Sequence, residues 1–223
     1  MKKIRFLEVT FENPIEAWEL VYFRGAVIAI SGRDSILFHN HEGEGFRYSY
    51  PLIQYKRIDK KPRLVCIEEG IDEVHRFFEN RQEGILLDKR PYELNVEGIN
   101  LNRHTLQVWD KEFLYYLQEW MPINEKNKAR FEQLHTDEEL REFFKPILIG
   151  NILSMAKGIG WTVDKTINVE VLNIKGVRQV KHKGINMHIA TLTFKANVFL
   201  PDNIGLGKNA AVGFGTVRSL RNS

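Results

Sequence analysis

Along the first half of the chain the spacing of apolar residues switches period in a fixed order, and that order restricts the fold more than any other feature. Lys3 to Phe11 reads as a strand. It runs into Asn13-Pro14-Ile15-Glu16, which offers a capping asparagine, a proline at the first helical position and a glutamate at the third. A helix is expected to begin there and to run through Trp18 and Tyr22 to about Ile30, ending near Gly32. Phe46 to Ile58 and Arg63 to Ile67 read as strands joined by a turn at Asp59-Lys60-Lys61-Pro62, a hairpin. Ile71, Val74, Phe77 and Phe78 share one helical face, and Leu94 and Val96 alternate with Glu93, Asn95 and Glu97 as in a strand. Strand, helix, strand, strand, helix, strand is the order of the ferredoxin-like βαββαβ unit.

The second half opens the same way. A strand is expected near His104 to Trp109, then a helix from about Lys111 to Met121 that Pro122 stops. Thr136-Asp137-Glu138-Glu139 is a capping box, and Leu140, Phe143, Phe144, Ile147, Leu148, Ile152 and Met155 keep helical spacing up to Lys157 and Gly158, with Pro146 expected to kink or divide that helix. Val163, Ile167, Val169 and Val171 alternate as one strand face. Val177 to Lys183 reads as a further strand, and Ala190 to Leu200 as a third. The fold class is therefore α+β, two tandem ferredoxin-like (RRM-like) domains with the second modified. The domains are expected at residues 1–98 and 99–223.

Composition is that of a globular chain, 43% hydrophobic and 27% charged. The longest nearly apolar run, Ile147 to Ala156, falls short of the ~20 residues a membrane helix needs, and Arg5 and Glu8 interrupt any signal-like core. A cytoplasmic protein without membrane contact is expected. The single cysteine, Cys66, offers no disulfide and should fill core space. Charge is unevenly distributed. Residues 175–223 carry +7, the first 174 residues −4, and a second basic cluster lies between Phe46 and Arg63. Concentrated positive charge on a weakly charged chain suits a polyanion, although lysines guarding strand edges would read the same way.

Two constellations carry chemistry. Gly205-Leu206-Gly207-Lys208, continuing to Gly213-Phe214-Gly215, lets a backbone pass close to phosphate, with Lys208 as counter-charge. It is not a P-loop, since no Gly-Lys-Ser/Thr ending and no helix follow. His39 and His41, in Phe38-His39-Asn40-His41, project to one side if the segment is extended. Two imidazoles can hold a neutral base and a charged acid at the same pH, the pairing that phosphodiester cleavage by an internal hydroxyl requires. Paired loop histidines are also common as plain surface residues. No third zinc ligand is evident, so no metal and no cofactor are expected.

Taken together, Arg24-Gly25-Ala26, Leu37 to His41, Tyr48-Ser49-Tyr50-Pro51-Leu52-Ile53-Gln54-Tyr55-Lys56, Ile149-Gly150-Asn151 and Gly205 to Val217 resemble the CRISPR repeat-processing endoribonucleases of the RAMP superfamily. The resemblance spans nearly the whole chain and implies tandem ferredoxin-like domains. It also implies cleavage of precursor CRISPR RNA within the repeat, by 2′-hydroxyl attack that leaves a 2′,3′-cyclic phosphate. It puts the catalytic histidine at His39 or His41 without saying which is base and which acid. Tyr48, Tyr50 and Lys56 are candidate assistants, and Arg24, Gly205, Gly207, Lys208, Gly213, Gly215, Lys181 and Lys183 are expected to bind RNA. The implied partners are CRISPR repeat RNA, a CRISPR interference complex and a second copy of the chain. Two rivals stand beside this reading, a non-catalytic RNA-binding subunit of such a complex and an unrelated ferredoxin-like small-molecule protein.

Overall fold

A computed structural model describes residues 1–32, 36–39, 41–42, 45–46, 50–80, 84–182 and 184–220. They form two compact units. One comprises Lys3–His104 together with Ala211–Gly213; the other comprises Met1–Lys2, Thr105–Ala210 and Phe214–Ser223.

In the N-terminal unit β1 (Lys2–Phe11) leads through a 3-10 turn at Ala17–Glu19 into α1 (Leu20–Ser31), then α2 (Ile36–His39), β2 (His41–Glu42) and β3 (Gly45–Phe46). The hairpin β4 (Ile53–Ile58) and β5 (Lys61–Ile67) follows, then α3 (Glu69–Glu73), α4 (His75–Glu79), the small hairpin β6 (Gly84–Leu87) and β7 (Arg90–Glu93), and β8 (Val96–Leu106). The main sheet runs β4-β5-β1-β8. Numbered as the four strands of one unit, that is 2-3-1-4, the ferredoxin-like order. Leu7, Val9 and Phe11 of β1, Ile53 and Tyr55 of β4, and Leu64 and Cys66 of β5 form one core with Phe23 and Val27 of α1 and Phe77 of α4. Cys66 fills core space as expected, and burial pushes its thiol up to about 12.

Three expectations shift here. The helix starts later than Asn13-Pro14, because that segment is pinned extended: the Tyr92 hydroxyl donates to the Asn13 carbonyl at 2.7 Å and Ile15 N donates to Lys60 O at 2.8 Å. Glu16 N donates instead to Glu19 Oε2 at 2.7 Å, which closes the turn that precedes α1. Of the strand expected from Phe46, Phe46 closes β3, residues 47–49 lie outside the described residues and β4 opens at Ile53, while the hairpin turns on Asp59 and Lys60 alone, φ 51° and 68°, as a primed two-residue turn requires. The helix expected around Ile71 to Phe78 is two short pieces that meet at Val74.

The C-terminal unit contains β9 (Val108–Trp120), α5 (Glu125–Phe131), α6 (Asp137–Gly158), β10 (Val169–His182), β11 (Ile185–Val198) and β12 (Thr216–Leu220). Its sheet, β10-β11-β9-β12, repeats the order 2-3-1-4. The second helix of the repeat is missing, and residues 199–215, the glycine-rich segment, stand in its place. Thr136 caps α6, accepting from Glu139 N at 3.2 Å, and the helix passes through Pro146 undivided.

Two elements of this unit overturn the sequence reading. Lys111 to Met121 is not a helix: Lys111 to Trp120 belong to β9, which pairs with β11 on one side and β12 on the other. Its local helix propensity yields to two ladders and to burial of Tyr115, Leu117 and Trp120. Glu119, at φ 49°, breaks the alternation that would have revealed the strand. Val163 to Ile167 lies before β10, and Val169 and Val177 belong to that single strand, whose register shifts near Asn173 and Gly176 hid its continuity. Lys183 lies outside the described residues.

Glu19, 2% exposed, accepts two hydrogen bonds from Arg90 at 2.7 and 2.9 Å. These bonds hold its carboxyl below the usual carboxylate range. The stability this adds is present above the ordinary glutamate pKa and is lost as pH falls through that range. Arg90 is 47% exposed, so the pair is partly screened. Arg90→Met should cost about 1–3 kcal/mol at neutral pH. The difference should narrow toward pH ~4, where Glu19 of the variant protonates. Urea unfolding of both proteins at the two pH values checks this.

Candidate functional site

His39 ends α2 and His41 opens β2, where it pairs with Phe46. The side chains of both histidines, and all of Asn40 and Tyr48, lie outside the described residues. Described on either side of them along the chain are Phe38 and the strand β4. Phe38, 1% exposed, anchors α2 in the core, and its carbonyl accepts the Tyr55 hydroxyl at 3.4 Å. The Arg24 guanidinium, half-buried on α1, lies over the Tyr55 ring at 5.8 Å. Tyr55 N donates to Ala211 O at 2.7 Å, and Tyr55 bridges Val212 in parallel. The ring of Tyr55 therefore reaches Arg24 and the helix that bears His39, while its backbone holds the tip of the glycine-rich segment.

Tyr50 and Lys56 were candidate assistants at the cut, and neither is open to solvent. The Tyr50 hydroxyl accepts from Gln54 Nε2 at 2.9 Å, and burial raises its pKa. Lys56 is fully buried, because both faces of β4 are covered, and loss of solvation lowers its amine to about 7. In this position Lys56 belongs to the interior and does not face a bound phosphate.

The glycines need correction in a different sense. Gly207, Gly213 and Gly215 have φ of 81°, 92° and 62°, but the close approach they allow is to the protein itself. A Cβ on Gly215 would lie 2.0 Å from Leu206 O, one on Gly213 2.8 Å from Leu20 Cδ2, and one on Gly207 2.6 Å from Asn151 Oδ1 and 2.7 Å from Trp120 Nε1. Trp120 Nε1 donates to that Asn151 oxygen at 2.8 Å, so β9 and α6 together make the seat on which Gly207 rests. Gly205 and Gly215 are buried. Lys208, next to Gly207, is exposed, and so is Lys181 on β10. The ladder between β9 and β11 ends at Trp120 and Ala190, so Lys181, paired with Asn186, stands on the part of the β10-β11 hairpin beyond the end of β9.

Sequence reasoning missed the seat formed by Trp120 and Asn151 and the joining role of Tyr55, since no linear spacing couples these positions. Elsewhere, His188 packs against Phe131 at 5.0 Å and lies 3.0 Å from Gln179 Nε2. Among the described residues no group of three or more His, Cys, Asp or Glu is placed to hold a metal. Among them, too, no helix is long and apolar enough to cross a membrane.

Tandem ferredoxin-like units, with a glycine-rich segment replacing the last helix of the second, define a RAMP-class protein. Residues 2–105 match the Cas6b N-terminal domain and residues 107–220 the Cas6b C-terminal domain, and the chain belongs to the Cas6b family. It is similar to a crystal structure of Cas6b, with 28% identity and a TM-score of 0.86 over 98% of this chain and 100% of that one. A second structure, of the CRISPR RNA processing endoribonuclease Cas6b, is 26% identical with a TM-score of 0.75 over 98% and 100%. A type IV Cas6 crRNA endonuclease, Csf5, shares the fold at 12% identity and a TM-score of 0.54 over 99% of this chain and 100% of that one. An uncharacterized protein of Methanocaldococcus jannaschii is 32% identical over 102 residues, 46% of this chain and 68% of that protein.

The state of Lys56 has a measurable consequence. Its folded pKa lies below the ordinary lysine value, so the unfolded chain holds more protons between pH ~7 and ~10.4. Wild-type stability should therefore rise with pH across that window, by up to about 1.4 kcal/mol per pH unit. Lys56→Met removes the titration. Any advantage in melting temperature that the variant has at pH ~7 should shrink steadily toward pH ~10, and a gap that widens instead would mean the amine is held charged.

Proposed function

We propose that the protein cleaves precursor CRISPR RNA within each repeat, and that His39 and His41 supply both proton transfers. The observation that supports the reading most is the convergence on Tyr55 of Arg24, the helix ending in His39 and the returning glycine-rich segment, in a chain of the Cas6b family. The 2′-oxygen beside the scissile phosphate attacks phosphorus while one histidine takes its proton. The bond to the departing 5′-oxygen breaks as the other histidine protonates it, which leaves a 2′,3′-cyclic phosphate and a 5′-hydroxyl. The nucleophile belongs to the RNA and the two imidazoles complete the proton balance, so the step runs without a metal. Tyr48 assists there and Arg24 meets the phosphate from α1.

In this reading residues 1–98 carry the cleavage site and residues 99–223 carry binding. The exposed lysines Lys208 and Lys181, with Lys183 beside the latter, contact phosphate, while Gly205, Gly207, Gly213 and Gly215 set the course of the segment that presents Lys208. The protein works in the cytoplasm on its transcript, hands the product to a CRISPR interference complex, and acts as a homodimer.

Labelled repeat RNA from the source genome tests the reading. Cleavage should persist in excess EDTA and stop when a single 2′-deoxy nucleotide precedes the cut. His39→Ala or His41→Ala should slow the cutting step by ~10²-fold or more with affinity little changed. Intact RNA under all conditions would favour the non-catalytic subunit, and a requirement for magnesium would reject the mechanism. Binding is tested separately: Lys208→Ala should flatten the slope of log affinity against log salt by about 0.7, one phosphate contact on a single strand.

A further inference from the structure

We propose that β8 is a self-pairing edge through which two copies of this chain join their N-terminal sheets into one. The proposal rests on the homodimer reading above and gives it a surface. β8 ends the order β4-β5-β1-β8, and among the described residues no strand lies beyond it. It is 11 residues long, and Ile99 to Arg103 are all exposed. A long exposed edge is a template for pairing, and proteins usually guard one with proline, lysine or a bulge. Val96 to Leu106 contains neither proline nor lysine. It carries instead Ile99 and Leu101, 54% and 60% exposed, at alternate positions and hence on one face. Strand addition takes an edge of this kind.

The residues around Asn100 select a second copy over an unrelated peptide. An antiparallel pair centred on Asn100 sets Glu97 opposite Arg103 of the second copy, Ile99 opposite Leu101, and Asn100 opposite itself. The two-fold repeats each match, giving two opposite-charge pairs that flank two aliphatic pairs, all on the same face. A slip of one residue would carry the side chains to opposite faces, and a slip of two in either direction loses both charge pairs. Arg103 has no ion-pair partner among the described residues. Glu97 engages Lys61 through Oε1, which leaves its second oxygen to face the incoming guanidinium. The competing apolar patch is Trp18 on the 3-10 turn with Val21 and Tyr22 of α1.

Sedimentation velocity on the full chain without RNA tests the edge independently of any cleavage. The wild type should form a dimer as concentration rises. Glu97→Arg alone and Arg103→Glu alone should each weaken it by about tenfold or more, because like charges then oppose one another twice. An equimolar mixture of the two variants should dimerise like the wild type, since each supplies the charge the other lacks. Circular dichroism melts matching the wild type would show that both variants fold, and Ile99→Lys with Leu101→Lys should weaken the dimer by guarding the edge. A chain that stays monomeric at every concentration sinks both the edge and the homodimer. A dimer indifferent to all these variants overturns the edge alone and moves the interface to α1.

Discussion

Tyr55 is the contact on which the rest of the N-terminal unit's arrangement depends. A tyrosine in a central β4 position has its ring in the core, and there it packs edge-on to Phe23 at 6.5 Å. The hydroxyl needs a buried acceptor, which the Phe38 carbonyl supplies, and this fixes the short α2 against the sheet. The ring also takes the Arg24 guanidinium, so a cation on α1 is oriented by the same side chain. The Tyr55 amide then binds Ala211, which ties residues far along the chain into the same unit. A phenylalanine could fill the volume, but it would leave the Phe38 carbonyl without this donor and loosen the helix that carries His39.

Much of the fold was legible because the apolar spacing of Lys3 to Phe11, of α1 and of α6 is strong and local. The capping box at Thr136 and the left-handed Gly32 at the end of α1, φ 94°, mark element ends by rules of backbone chemistry that act within a few residues. The errors arose where distant partners decide. Asn13-Pro14 has the letters of a helix start, yet bonds to Tyr92 and to the turn at Lys60 keep it extended. Lys111 to Trp120 is rich in residues that suit a helix, yet it lies in the strand between β11 and β12. A central strand draws its stability from ladders on both sides, and no property of its own letters records those neighbours.

The site was legible to a smaller extent. The histidine pair, the basic C-terminal strands and the glycine pattern are visible as letters, but their surroundings are not. Lys56 illustrates the difference: in sequence it is one more cation in a basic cluster, whereas the structure removes it from water altogether. Exposure, which separates a lysine that meets phosphate from one that titrates near neutrality, follows from what covers β4, and alternation along one strand cannot reveal that both of its faces are covered.

The two units share a strand order and differ in what fills the crossover between third and fourth strands, and this difference explains the glycines. In the first unit α3 and α4 occupy it, with backbone groups satisfied within each turn. In the second, residues 199–215 must find partners individually, and they do so against one another, against β9 and against β12: Leu206 N to Gly215 O at 2.8 Å, Gly215 N to Glu119 O at 3.2 Å, and Val217 N to Ile204 O at 2.9 Å. Such a course requires repeated left-handed residues, and Asn203, Gly207, Asn209, Gly213 and Gly215 all adopt positive φ. The segment thereby commits the amides of Asn203, Ile204, Leu206 and Gly215 to the protein itself. Its outward chemistry is the side chain of Lys208, held in position by Gly207 on the pair of Trp120 and Asn151. A glycine-rich pattern beside a lysine can thus spend its glycines on the fold and leave the lysine to the solvent.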